Sequence, residues 1–177
     1  FDKVFNVVIG GSPENANLIW NVGIGTGSQD LSIVCGNNVL VSHNVMGADI
    51  GVGSSKDRGI DGVVVFRTHG MIIEHNKLGP HGDLYAPDPT GTSAAFYGQG
   101  EDGIDLKDVN YDITIRYNDI SHNRQSGVTV QSGSWGIKIY GNYMEGNIWG
   151  GVWTIDSGAS GTEPDPTDEW YDGPAGW

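Results

Sequence analysis

NLIWN (17–21), VLVSHN (39–44), MIIEHN (71–76), ITIRYN (113–118) and IKIYGN (137–142) each run through apolar residues and stop on asparagine. Counted from Asn21, the Asn-to-Asn intervals are 23, 32, 42 and 24 residues (44−21, 76−44, 118−76, 142−118). Two intervals fit one basic unit, and the other two read as that unit with insertions. Self-similarity at a period of about 20–50 residues is the mark of a solenoid.

Aligned on their asparagines, the later units are apolar five residues back (Val39, Met71, Ile113, Ile137) and three back (Val41, Ile73, Ile115, Ile139). They are apolar again two residues ahead, at Met46, Leu78, Ile120 and Met144. This is the alternation of a strand with one buried face. A second short strand opens on glycine in GIDG (59–62), GIDL (103–106), GVTV (127–130) and GVWTI (151–155). No apolar spacing of 3.6 residues persists beyond a turn, and 29 glycines oppose helix formation. Strands returning at this period coil into a single-stranded parallel β-helix of about six to seven rungs, an all-β fold. Asn21, Asn44, Asn76, Asn118 and Asn142 are expected at an inward bend, stacked as an amide ladder with a structural role.

NNVLVSHNVMG (37–47), DITIRYNDISHN (112–123) and GIKIYGNYMEGN (136–147) resemble repeats of the right-handed parallel β-helix superfamily. That group includes pectate lyases, polygalacturonases, mannuronan epimerases and phage tailspikes. The resemblance covers roughly residues 17–155. It implies a right-handed coil and an extracellular location, since the members are mostly secreted. It implies no single activity, because such repeats report how the coil packs.

The chain has 177 residues, 22 of them acidic and 9 basic, for a net charge of −13. That balance excludes nucleic acid and anionic membranes as natural partners and suits calcium binding or solubility outside the cell. Cys35, alone in LSIVCG, is expected as a buried thiol, and a disulfide framework is excluded. A start at Phe1, with neither methionine nor signal peptide, is expected of a processed chain or a fragment.

The coil is expected over 1–158, with additional residues at one corner of two adjacent rungs, 48–58 and 79–102. Long loops at one corner form a wall, and walls over rigid scaffolds carry sites. The strands that follow hold the richest chemistry. In GIDG and GIDLKD, Asp61, Asp105 and Lys107 are expected to point outward, with Asp61 and Asp105 in one column about 4.8 Å apart. Carboxylates so placed repel by about 1–3 kcal/mol, which a cation, a raised pKa or Lys107 must relieve. Asp102 and, from the loops, Asp57, Asp83, Asp88 and Glu101 are further ligand candidates for calcium. Three readings stay open: a calcium site, a lyase centre with Lys107 as base, and an acidic patch balanced by Lys107.

Residue by residue, Ca2+-dependent pectate lyases of this fold are similar in using aspartates on successive rungs with a basic proton acceptor. Asp61, Asp105 and Lys107 match in kind. EDGID (101–105) resembles the polygalacturonase motif at Asp102 and Asp105, but Gln125 and Ser126 stand where the next rung would supply aspartates. LYAPDPT (84–90) resembles the mannuronan epimerase motif at Tyr85, Asp88 and Pro89, but Thr90 replaces its histidine. His43, His75 and Tyr117 read as stacked bend residues, and Arg116 as an ion-pair partner of Glu74.

Residues 159–177 are acidic and contain Trp170 and Trp177, while Trp149 and Trp153 lie just before them. This end reads as a cap over the last rung, a contact arm, or a sugar-binding surface. FDKVFNVVIGG (1–11) already reads as a strand, so an end-to-end stack of copies is a second functional class. The expected functions are therefore calcium-assisted lysis of an acidic polysaccharide, a structural filament-forming β-helix, or a carbohydrate-binding module.

Overall fold

The computed structural model describes residues 3–20, 29–47, 61–81, 102–131 and 133–155. Its first turn comprises β1 (Phe5–Gly10), β2 (Leu18–Trp20) and β3 (Gln29–Val34), with a 3-10 segment at Pro13–Asn15. The second comprises β4 (Asn37–Ser42), β5 (Val45–Gly47) and β6 (Asp61–Phe66). The third comprises β7 (Ile72–Glu74), β8 (Lys77–Leu78) and β9 (Ile104–Lys107). The fourth comprises β10 (Thr114–Arg116), β11 (Asp119–Ile120) and β12 (Ser126–Gln131). The fifth holds β13 (Lys138–Tyr140) and β14 (Gly150–Ile155), with Tyr143 bridging to Asp119 between them.

Strands of successive turns pair in parallel. The first sheet is β1-β4-β7-β10-β13, the second β2-β5-β8-β11 and the third β3-β6-β9-β12-β14. The result is the expected all-β parallel β-helix, with five turns among the described residues against about six to seven expected for the whole chain. The long connections β5–β6 and β8–β9 both join the second sheet to the third, the corner expected for the insertions. Most of 48–58 and 79–102, and all of 159–177, lie outside the described residues.

All three sheets turn one row of side chains to the axis. The first sheet contributes Val39, Val41, Met71, Ile73, Ile113 and Ile115. The second contributes Met46, Leu78 and Ile120; the third contributes Ile33, Val63, Val65, Ile104, Leu106 and Val128. Each such side chain stabilises the fold by about 1.5–3 kcal/mol on burial, which a coil without helices needs along its whole length.

The corners are held by polar ladders. At the first, between the first and second sheets, the residues are Asn17, Asn44, Asn76, Asn118 and Asn142. Asn17 Nδ2 donates to Asn44 Oδ1 (2.8 Å), and the backbone N–H groups of Asn44, Asn76 and Asn118 donate to the next Oδ1 at 2.9–3.0 Å. Pairing of Leu18 with Val45 puts Asn17 at the ladder position expected for Asn21, which lies outside the described residues. His43, His75 and Tyr117, each just before a ladder asparagine, adopt left-handed backbone (φ 55–60°), and Gly141 does so in the fifth turn. Their rings stack as expected, His43 on His75 at 5.0 Å and His75 on Tyr117 at 5.5 Å.

Two further ladders were not expected. Between the second and third sheets, His81 Nδ1 meets Asn123 Oδ1 at 2.6 Å, and Asn123 Nδ2 donates to Asn147 Oδ1 at 2.9 Å. Between the third sheet and the first, Thr68 Oγ1 accepts from the Gly36 N–H, Asn110 Oδ1 from the Thr68 N–H, and Ser134 Oγ from the Asn110 N–H. Cys35 sits at this last bend, partly exposed with φ 52°, and is not the buried strand residue expected.

Candidate metal centre

Alternation in β9 sends Ile104 and Leu106 into the core and turns Asp105 and Lys107 outward, as expected. The expected column of Asp61 over Asp105 is absent. β6 and β9 pair Val63 with Ile104 and Val64 with Asp105, so Asp61 stands beside Asp102 instead. The cause is steric. Gly62, not Gly59, shares a column with Gly103, and a Cβ at either would strike the interior. At Gly62 it would lie 2.6 Å from His81 Cε1, and at Gly103 it would overlap Ile120.

The corrected register still draws the carboxylates together. One oxygen from each of Asp61, Asp102 and Asp105 lies within 4.8 Å of the other two, and all three residues are only 1–2 % exposed. Lys107 Nζ lies between two of them, 3.2 Å from Asp61 Oδ2 and 3.0 Å from Asp105 Oδ2. Asp61 Oδ1 accepts the Asp102 N–H (3.0 Å), Asp102 Oδ1 accepts the Ser126 N–H (2.7 Å), and Gln131 Nε2 donates to Asp105 (3.1 Å).

Three carboxylates face one ammonium, so full ionisation would leave two uncompensated negative charges. Burial, helped by Asp105 and Asp61, raises Asp102 to about 7 against the pull of the Ser126 N–H. Burial likewise raises Asp105 to about 6, outweighing the Lys107 charge beside it. For Lys107, burial alone would lower the pKa, but Asp61 and Asp105 outweigh it and hold the proton on.

Two hydroxyls deepen the site. Ser126 stands one turn above Asp102 and Thr129 one turn above Asp105, and both are buried. Thr129 Oγ1 approaches the Asp102 carboxyl closely enough to oppose its rise, yet among the described residues neither it nor Ser126 Oγ has a hydrogen-bond partner in good geometry. Unsatisfied buried hydroxyls beside crowded carboxylates suit a hard dication. Its oxygen ligands at about 2.3–2.6 Å can stand up to about 5 Å apart, which the 4.8 Å cluster meets. Thr129 and Gln131 were missed, although setting GVTVQ (127–131) over GIDLK (103–107) places them above Asp105 and Lys107.

Asp57, Asp83, Asp88, Glu101 and the 84–90 motif are outside the described residues. Arg116 is bound to Glu74 on the first sheet (Nη2–Oε2 2.6 Å), and Arg67 lies 3.7 Å from Asp108, both half-exposed or more open than Lys107. His81 is buried in its ladder against Asp30 (3.0 Å), whose pKa burial raises.

A family model described as right handed beta helix region matches residues 8–163. No curated protein and no solved structure matched the chain.

Proposed function

This chain belongs to the right-handed β-helix family, and from that premise we propose an extracellular protein that cleaves an acidic polysaccharide by calcium-assisted elimination. Asp61, Asp102 and Asp105 are the calcium ligands and Lys107 is the proton acceptor. The observation that carries the reading is the Lys107 amine held 3.0 and 3.2 Å from two buried carboxylates, in a side chain that is itself 26 % exposed. The carboxylates are buried, whereas the Lys107 side chain is partly open to solvent.

Calcium held there would neutralise a uronate carboxylate and so acidify the adjacent C–H. Lys107 must then be neutral to take that proton. Its proton is retained by Asp61 and Asp105, and burial is the influence that opposes them. Once those two carboxylates are engaged as ligands, burial is left to lower the pKa, and the amine becomes a base. It removes the proton next to the uronate carboxyl, a carbon–carbon double bond forms, and the glycosidic oxygen leaves and takes a proton from water.

The test is ultraviolet absorbance of the unsaturated uronate released from polygalacturonate and alginate. Activity is expected with calcium and lost with chelator. Lys107→Met should lower it at least about a hundredfold. Release that survives chelator, or the Lys107→Met change, overturns the reading.

A second reading is favoured by the terminal turns described. Val7 and Ile9 in the first, in register with the core residues Val39 and Val41, are only partly buried, and Val152 in the fifth, in register with the core residue Val128, is 48 % exposed. Such apolar ends suit end-to-end stacking of copies into a filament. Electron microscopy with and without chelator decides it: dispersed single particles in both conditions remove it.

A further inference from the structure

We infer that the Lys107 ammonium is the resident cation of the carboxylate cluster and that a dication enters by displacing it, which makes Lys107 the residue that selects dications over sodium and potassium. The inference rests on the calcium reading above and adds to it how the ion arrives and what it must displace.

The carboxylate oxygens divide into two sets. Asp61 Oδ1 accepts the Asp102 N–H, and Asp102 Oδ1 accepts the Ser126 N–H. The oxygens held by Lys107 Nζ, Asp61 Oδ2 and Asp105 Oδ2, accept no backbone N–H among the described residues. A dication ligated by them at about 2.3–2.6 Å would stand within about 6 Å of an ammonium still bound to the same pair. Like charges that close in a buried cluster repel, so only one of the two cations keeps these oxygens. The Ser126 and Thr129 hydroxyls, buried and unpaired among the described residues, are ligands that the ammonium leaves unused.

Charge decides which cation wins. With the three carboxylates ionised, the ammonium leaves two negative charges uncompensated. Sodium or potassium in its place would leave the same two and forfeit the hydrogen bonds of a tethered donor. Calcium would leave one. The ammonium also has somewhere to go. Lys107 shares its column with Phe66 one turn below and Gln131 one turn above, and all three are partly exposed. The neighbouring column of Val64, Asp105 and Thr129 is covered. Rotation of the Lys107 side chain therefore carries its ammonium from the carboxylates to solvent, and the ion takes the place it leaves.

Calorimetric titration with calcium of the parent, Lys107→Met and Lys107→Arg proteins tests this. At about pH 9 the carboxylates have given up their protons, while Lys107, whose pKa burial would lower but Asp61 and Asp105 raise, keeps its own. Lys107→Met should bind calcium at least about tenfold more tightly than the parent, and Lys107→Arg, which keeps the charge, no more tightly than the parent. Exchanging tetramethylammonium chloride for sodium chloride at one ionic strength should weaken calcium binding to Lys107→Met several-fold and leave the parent unchanged. In the parent, calcium should raise acylation of Lys107 several-fold by peptide mass spectrometry, with the exposed Lys77 and Lys138 as internal references. Thermal midpoints identify a variant that fails to fold, and the labelling of the parent then decides alone. Equal or weaker calcium binding by a folded Lys107→Met protein overturns the inference, as does a Lys107 that stays protected in saturating calcium. Calcium uptake that frees Lys107 without any release of unsaturated product overturns the lyase reading alone. No calcium uptake by any of the three proteins overturns the metal centre and this inference together.

Discussion

Asn118→Ala is expected to lower the free energy of unfolding by about 3–5 kcal/mol, more than any single truncation on the surface. Asn118 is inside the first ladder, bonded to Asn76 on one side and Asn142 on the other. Its Oδ1 accepts from the backbone N–H and Nδ2 of Asn76 (2.9 and 3.1 Å). Its Nδ2 donates to Ile73 O (2.9 Å), Arg116 O (3.0 Å) and Asn142 Oδ1 (2.9 Å). Alanine leaves the Asn76 N–H buried and unpaired, costing about 1–3 kcal/mol, removes the side-chain donor to the Ile73 carbonyl, and opens a void beside them. Asn17→Ala is the control. Asn17 ends the ladder among the described residues, is exposed, and donates only to Asn44 there, so about 1 kcal/mol is expected. Urea unfolding of the three proteins at one pH gives the comparison. Equal losses for the two variants would mean that the ladder is not cooperative along the coil.

The second large effect is in the pH dependence of stability. Asp102 titrates at about 7 and Asp105 at about 6 in the folded protein, against an ordinary value of 3.8. Between about pH 4 and 7 the folded chain therefore binds protons that the unfolded chain has already released. Their contribution to stability is complete below the unfolded value and is lost as pH rises through 6 to 7, on the order of a few kcal/mol. The thermal midpoint should fall from pH 5 to pH 8. Asp102→Asn keeps an acceptor for the Ser126 N–H but has no carboxylate to ionise. It should be more stable than the parent at pH 8 by about 2–4 kcal/mol and should gain nothing below pH 4. Calcium should restore the parent at pH 8 and have much less effect on the variant, because one of its three carboxylates is gone. A midpoint that stays level from pH 5 to 8 would show that the carboxylates are ionised and satisfied throughout.

The candidate site was legible in part. Asp61, Asp105 and Lys107 stood out because they share short, glycine-opened strands, and outward alternation in GIDLK is a local property. Their mutual placement was not local. GIDG offers Gly59 and Gly62 as alternative partners for Gly103, three residues apart. The choice depends on what stands inside the coil at that level, where His81 leaves room only for a glycine. Asp102 thereby became the neighbour of Asp61. The crowding that raises its pKa is a consequence of register and burial together.

What this sequence determined by itself is the coil. The asparagines at 44, 76, 118 and 142 recur at one bend because a short amide accepts from the preceding turn while donating across the corner, and apolar alternation follows from a one-sided sheet. Tertiary structure decided the rest. Asn17 takes the ladder position because Leu18 pairs with Val45. The other ladders mix His81 with Asn123 and Asn147, and Thr68 with Asn110 and Ser134. A corner asks for a group that can exchange hydrogen bonds with its neighbours, not for one residue type. Burial of Asp61, Asp102 and Asp105 around the Lys107 amine was decided there as well. The charge on each group depends on neighbours up to 46 residues away in sequence, and stacking of the turns is what brings them within 3–5 Å.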